Sequence, residues 1–399
     1  MPKNGDELSI LGFGCMRLPL GENGKIDEER AAKQVRYAID QGVNYLDTAW
    51  PYHRGESEPF LGRALAKGYR EKVKVATKLP SWLVENRDGM DRYLNAQLEK
   101  LRTDHIDYYL IHGLAGYLWD KVAKLGVRAF LDQAKTDRRI IYAGFSFHGS
   151  QEEFKRIVDS YDWDFCQIQY NFLDENNQAG TAGLEYAAAK GLGVIVMEPL
   201  RGGNLARKVP PAILKIWDLA KDKRTPSEWA LRWVWDRPEV TVVLSGMNEE
   251  AHIAENLTIA NRSYPKSLTA EELQLVEKAA WKYRGLMKSD CTGCGYCLPC
   301  PAGVDIPASF ETYNSLHMFG NAEESKFRYA LRLSGIISGG KPGFASQCIQ
   351  CGDCLDKCPQ NQKIPQLLEA VVEELEGPDL EQRMIKAKKI FQENLTLGR

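Results

Sequence analysis

The residues best suited to chemistry stand late in the chain. From Cys291 to Pro301 the sequence reads CTGCGYCLPCP, with Cys291, Cys294, Cys297 and Cys300 each separated from the next by two residues. A second group, Cys348, Cys351, Cys354 and Cys358, is spaced by two, two and three residues and followed by Pro359. Eight of the ten cysteines fall in these groups. Three or four thiolates at two-residue intervals wrap the backbone around one corner of a cubane. A tetrahedral zinc ion usually draws its pairs from two separated knuckles, so iron–sulfur chemistry is the reading. The start, MPKNGDELSI, lacks the apolar core of a secretory signal, so a cytoplasmic, reducing setting is expected. Thiols clustered in that setting read as metal ligands before disulfides. The remaining two, Cys15 and Cys166, read as small buried hydrophobes.

A second constellation stands early. Asp47 and Tyr52 lie in LDTAWPYHRGESEPFLG, Lys78 ends VKVATK, and His112 ends IDYYLIH. A tyrosine with an ordinary pKa of about 10 is a poor proton donor at neutral pH. A lysine cation beside it, held by a carboxylate, lowers that pKa, and a histidine can orient a carbonyl. Such a set would protonate an alkoxide as hydride reaches a carbonyl carbon. Each residue alone has a plainer reading: a strand-end Asp often caps a helix, and a lone His is usually a satisfied polar group.

What must position these groups is a rhythm of strands and helices. Short apolar, β-branched runs recur at 10–16, 43–49, 73–78, 106–112, 140–146, 164–170, 193–198 and 240–246. Near-continuous apolar strands belong to parallel sheets buried on both faces. Between them lie helix-period segments such as DEERAAKQVRYAIDQG, with Ala31, Val35, Ala38 and Ile39 on one face and Gly42 as its stop. Eight strands and eight crossovers over about 260 residues match a (β/α)8 barrel, whose catalytic groups sit at the C-terminal strand ends. No GxGxxG follows the first strand, which argues against a doubly wound nucleotide fold. From Ser267 the pattern changes, with a helix opened by a Thr269–Glu272 capping box and then cysteines, prolines and glycines. The expected fold is therefore α/β: a TIM barrel over 1–284 and a smaller, mostly helical iron–sulfur domain over 285–399.

The barrel motifs, LDTAxxY…GxSExxLG, a strand-terminal lysine and YYLIH, resemble those of the aldo-keto reductases. By that resemblance Tyr52 is the general acid/base, Lys78 lowers its pKa, Asp47 anchors Lys78, and His112 positions the substrate carbonyl. The resemblance also implies an NADP(H) or NAD(H) site. Ser146 and Gln167 match carboxamide contacts, Glu255 and Asn256 match adenine contacts, and Gly246 matches the phosphate turn. Arg201 is a candidate phosphate contact. Three positions depart from the pattern. Phe147 replaces an expected asparagine, Met197 stands where an aromatic would stack on the nicotinamide, and His252 replaces an arginine that grips a 2′-phosphate. The cysteine region resembles a two-cluster bacterial ferredoxin module. In such modules the fourth ligand reaches the other cluster. That implies one 4Fe–4S cluster on Cys291, Cys294, Cys297 and Cys358, and another on Cys348, Cys351, Cys354 and Cys300.

Nicotinamide moves electrons in pairs as hydride, whereas iron–sulfur clusters move them singly. Coupling the two calls for a flavin, and Phe147 and Met197 are consistent with a site reshaped to accept one; no separate flavin motif is present. The leading expectation is an oxidoreductase acting on a small carbonyl, alcohol or activated alkene, exchanging electrons through its clusters with a redox partner such as a ferredoxin. The alternative is a conventional NADPH-dependent reductase with structural or oxygen-sensing clusters. An electron carrier with an idle barrel is the third reading, and an intact tetrad argues against it. The net charge of −2 offers no basic stripe for nucleic acid, and no apolar run reaches the length of a membrane span. The loops 81–89 and 112–122 would set specificity, with Trp50, Trp82 and Trp119 as candidate pocket walls and His148 as a candidate pocket residue.

Overall fold

The computed structural model describes every residue except 208, 292, 294, 337–339, 359 and 397–399, and only the backbone of 391–396. The eight apolar runs form parallel strands: β1 (Leu11–Gly14), β2 (Tyr45–Asp47), β3 (Lys74–Leu79), β4 (Ile106–Leu114), β5 (Ile140–Phe147), β6 (Phe165–Gln169), β7 (Gly193–Met197) and β8 (Val240–Ser245). Each pairs with its successor and β8 closes on β1, making a barrel in chain order. Side chains alternate across the barrel wall. Tyr45, Tyr108, Leu110, Phe165, Ile195 and Val242 pack together as one cluster within it. Residues of the opposite parity, such as Phe145 and Phe147, pack on Phe154 of the helix Gln151–Val158.

The return helices are set by local chemistry. In α1 (Glu28–Asp40) the Asp27 side chain accepts from the Arg30 amide, and Ala31, Val35, Ala38 and Ile39 are all buried. Gly42, at φ 98°, adopts the left-handed turn that lets the chain enter β2. The next two helices, α2 (Ser57–Ala64) and α3 (Arg87–Leu101), approach closely because α2 carries Gly62; a Cβ there would collide with the carbonyl of Lys100. The Thr269–Glu272 capping box forms reciprocally, with bonds of 2.9 and 3.2 Å.

By contacts the chain divides into two compact units. One comprises Met1–Arg207 with Leu219–Glu277, and the other Lys208–Asp218 with Lys278–Arg399. Within the second, the helices Ile306–Phe319, Ala322–Leu333 and Ile364–Val371 enclose a core that includes Val304, Ile306, Phe310, Tyr329 and Leu368. Cys291, Cys300, Cys348, Cys354 and Cys358 pack against that core. The Tyr329 hydroxyl donates to Glu376 Oε1 at 2.7 Å and accepts from the Ala345 amide at 2.9 Å. The Ser346 amide donates to the same glutamate oxygen at 3.0 Å, so the segment leading into Cys348 is pinned to the core.

Candidate functional site

Asp47 is the last residue of β2, Lys78 lies one before the end of β3, and His112 lies near the end of β4. Tyr52 opens a short turn after β2 in which His53 and Arg54 both have positive φ, 51° and 57°. Such values are strained for residues with a Cβ. Tertiary bonding holds the turn: the Leu18 amide donates to His53 Nε2 at 3.0 Å.

The barrel brings all four groups together. Lys78 Nζ donates to Asp47 Oδ1 at 2.6 Å, to the carbonyl of Thr48 at 2.8 Å and to Tyr52 Oη at 3.4 Å. An ammonium has three donors, and these contacts use all of them. The Tyr52 and His112 rings stand edge to face with centroids 6.1 Å apart. Burial pushes the Tyr52 phenol up, while Lys78 acts to lower it and Asp47 to raise it. Lys78 thus works in the expected direction but is outweighed by burial, so the resting phenol stays protonated. Burial lowers the ammonium of Lys78, but Asp47 and Tyr52 more than reverse this, and it stays charged. His112 falls well below the usual imidazole range through burial, then Lys78 and His148. It is a neutral imidazole whose Nδ1 is buried without a hydrogen-bond partner.

The residues matched to a dinucleotide lie on neighbouring strand ends. Ser146 and Gln167 are register partners on β5 and β6. Ser146 Oγ accepts from the Gly113 amide at 2.8 Å, and Gln167 Oε1 is buried and unpartnered. An acceptor left open at that position suits an amide donor of the carboxamide type. Met197 ends β7 and packs on the interior cluster. Arg201 Nε is held by Asp174 Oδ2 at 3.2 Å. Asn256 donates to Ser245 Oγ at 2.9 Å, and Glu255 accepts from Thr225 Oγ1 at 2.6 Å. Phe147 stands edge-on to Phe154 with centroids 5.1 Å apart, in the layer between strands and helices, so this departure does not widen a pocket. Trp50 packs on Tyr93 and Trp119 on Trp163, and both are nearly fully buried. Trp82 alone of the three faces the tetrad, 5.1 Å from His112.

Sequence reasoning passed over Arg17. Its guanidinium donates to the Gly202 carbonyl at 2.6 Å, and its stem lies against Gly246, between the loops after β7 and β8. No local motif announces it; only barrel closure brings β1 beside β8.

With this geometry in place, comparison with known proteins is decisive. The sequence profile of the "Aldo/keto reductase family" matches residues 10–279. The chain belongs to the aldo/keto reductase family. Among similar reductases is the NADH-specific methylglyoxal reductase of Escherichia coli K12, 27% identical over 303 residues, covering 64% of this chain and 90% of that protein. The L-galactose dehydrogenase of Arabidopsis thaliana is 25% identical over 302 residues, covering 68% and 91%. The holo form of an aldo-keto reductase from Bacillus halodurans superposes with a TM-score of 0.59 at 27% identity, over 70% of this chain and 94% of that one. C-terminal to the reductase match in sequence, residues 290–363 match a "4Fe-4S dicluster domain".

The cysteines of that second region line two hollows. Cys291, Cys297 and Cys358 line one, with Gln360 and Gln362. Cys300, Cys348, Cys351 and Cys354 line the other, with Ile349 and Leu368, and Cys297 borders it too. Cys294 lies outside the described residues. Burial pushes the Cys354 thiol up, and the neighbouring Cys348, Cys300 and Cys351 add to this. The segment leading into Cys291 is pinned by side chains: the Ser289 amide donates to Asn314 Oδ1 at 2.9 Å and the Asp290 amide to Gln362 Oε1 at 3.2 Å. The Gly293 amide points at Cys291 Sγ, 3.4 Å away. All-thiolate donors with a backbone N–H aimed at one sulfur fit iron–sulfur ligation. No helix among the described residues is long and apolar enough to cross a membrane.

Proposed function

We propose that this aldo/keto reductase interconverts a small carbonyl compound and its alcohol with a nicotinamide dinucleotide, and that its C-terminal region carries two 4Fe–4S clusters. The carrying observation is the Asp47–Lys78–Tyr52 chain of contacts beside a neutral His112.

The nicotinamide, when bound, supplies hydride to the carbonyl carbon. The chain does the rest. Tyr52 Oη gives its proton to the carbonyl oxygen, and the fixed Lys78 cation stabilises the phenolate left behind. Asp47 keeps Lys78 in place and charged. Neutral His112 offers an N–H to the same oxygen, which an imidazolium would be too ready to protonate. Gln167 Oε1 accepts from the carboxamide, and Ser146 lies beside it. At the start of the helix Glu250–Ala260 that follows β8, Glu249 and Glu250 both bind Arg30 at 2.6 Å. With one guanidinium shared between two carboxylates this turn keeps a net negative charge, which disfavours a 2′-phosphate and supports NAD(H) over NADP(H).

The hollows favour Cys291, Cys297 and Cys358 for one cluster, to which the sequence spacing adds Cys294, and Cys300, Cys348, Cys351 and Cys354 for the other. Such clusters supply one-electron transfer when assembled. A second reading, in which they serve structure, draws on the packing of five of these cysteines against the helical core. A flavin finds less support than the sequence offered, because Phe147 faces away from the interior. Anaerobic titration with NADH, followed by absorbance and electron paramagnetic resonance, tests the proposal. Cluster reduction supports electron exchange with the barrel. Aldehyde reduction with clusters left oxidised supports the structural reading, and no aldehyde reduction by the wild type rejects the carbonyl assignment.

A further inference from the structure

One buried carboxylate beside the tetrad has no role in the chemistry above. Glu58, the second residue of α2, is fully buried. Its Oε1 accepts from Thr77 Oγ1 and from Gln97 Nε2, both at 2.6 Å. The Gln97 amide also donates to the carbonyl of Lys78 at 3.0 Å, and Gln97 Oε1 accepts from the Tyr109 hydroxyl at 2.9 Å. The second oxygen of Glu58 has no hydrogen-bond partner and faces Lys100 Nζ at 3.8 Å. Lys100 in turn sits 3.4 Å above the Trp50 ring, on the loop that carries Tyr52. The preceding residue completes the junction: Ser57 Oγ lies 2.8 Å from Thr48 Oγ1 and donates to the Cys15 carbonyl at 3.2 Å. The first two residues of α2 therefore tie together the ends of β1, β2 and β3.

Burial pushes the Glu58 carboxyl up, opposed by Thr77, Gln97 and the cations Lys100 and Lys78. With both donors on Oε1 and Lys100 facing an Oε2 that has no acceptor for a proton, the arrangement suits the ionised form. A neutral glutamine would accept the same two bonds with far less desolvation cost. The extra charge calls for an electrostatic role, and Lys78 is close enough to interact with it. We propose that Glu58 is a positioning residue for the Tyr52–Lys78 pair, fixing the backbone of Lys78 through Thr77 and Gln97 and placing a second negative charge on the helix side of its ammonium. This rests on the reading of Tyr52 as proton donor. The other groups facing Lys78 are Asp47 and Tyr52 from β2 and its loop, Cys15 from the end of β1 and His112 from β4, while Lys100 from α3 faces Glu58.

Without the Glu58 charge, the Lys78 cation acts on Tyr52 less balanced, and the phenol deprotonates at lower pH. Carbonyl reduction needs the protonated phenol, so the alkaline limb of the kcat profile moves acid. The test is that profile for the holoenzyme with an aldehyde at saturating NADH. Glu58→Gln should shift the limb acid by about one unit and lower kcat about tenfold, with KM within about twofold of wild type. Lys100→Met, a partly exposed position, removes the neighbouring cation and should shift the limb the opposite way. Should Glu58→Gln not fold, Lys100→Met alone decides. Unmoved limbs with an inactive Tyr52→Phe control overturn this inference alone. A Tyr52→Phe control at wild-type rate overturns the proton-donor reading and this inference with it.

Discussion

Lys78 Nζ lies 2.6 Å from Asp47 Oδ1, and both side chains are almost wholly enclosed. Removing either partner would strand a buried charge, at a cost of about 3–5 kcal/mol. The further contact of Lys78 with Tyr52 Oη, at 3.4 Å, is what makes the pair more than structural.

Lys78→Met should lower kcat for aldehyde reduction by about 10²–10⁴, the usual reach of a positioned acid–base group. Because Lys78 opposes the effect of burial on Tyr52, its loss should also raise the phenol further. Difference ultraviolet titration of tyrosinate in Lys78→Met against Lys78→Met/Tyr52→Phe checks this, and a phenol that ionises at lower pH than in the wild type contradicts it.

The neutral state of His112 makes barrel stability depend on pH. Its folded pKa lies below the ordinary value of about 6.5, so the unfolded chain binds the proton first as pH falls. Stability is therefore lost below about pH 6.5. Relative to wild type, His112→Asn should lack about 1 kcal/mol of the decline between pH 6.5 and 5.5, read from denaturant unfolding followed by barrel tryptophan fluorescence. Parallel declines in the two proteins would reject a neutral His112.

Coenzyme choice should respond to the start of the helix that follows β8. Glu249→Ser/Glu250→Ser removes the two carboxylates and should shift the ratio of kcat/KM values toward NADPH by about tenfold or more, or about 1.4 kcal/mol. An unchanged ratio would place the discrimination elsewhere.

The hollows make a prediction about which cysteines act together. Cys300→Ser and Cys348→Ser, though distant in sequence, should each remove roughly half of the iron, and the double variant should lose no more than either alone, because both serve one cluster. Cys348→Ser/Cys358→Ser should lose nearly all of it. Iron assay with electron paramagnetic resonance distinguishes these outcomes from pairing of Cys300 with Cys291.

Chelation of the iron should loosen the second unit first. Five of its cysteines pack against the helical core, so their repulsion without metal acts on that core directly. Hydrogen exchange should rise in Ile306–Phe319 and Ile364–Val371, while β3 and β4 keep their protection. Uniform deprotection of all four elements would contradict this.

Much of the molecule was legible in order along the chain. Each of the eight strands begins inside one of the eight apolar runs, with β3, β4 and β5 extending one or two residues past its end, because a parallel strand buried on both faces must be apolar almost throughout. Asp47, Tyr52, Lys78 and His112 could be read because strand ends are fixed by the same runs, and the cysteines because ligand spacing is local. The sequence alone did not reveal which way Phe147 points, that Trp50 and Trp119 are packing residues, or that Arg17 lies between Gly202 and Gly246. Each depends on partners far away in sequence. The electrostatic balance at Tyr52 was likewise invisible: a neighbouring lysine can be guessed, but whether burial outweighs it depends on how completely the barrel closes. Local spacing thus determined the fold class and singled out the proposed tetrad and the candidate cluster ligands. Closure of β8 onto β1 and the approach of α2 to α3 decided the charge environment, because burial and unpaired oxygens such as those of Glu58 and Gln167 exist only once distant segments meet.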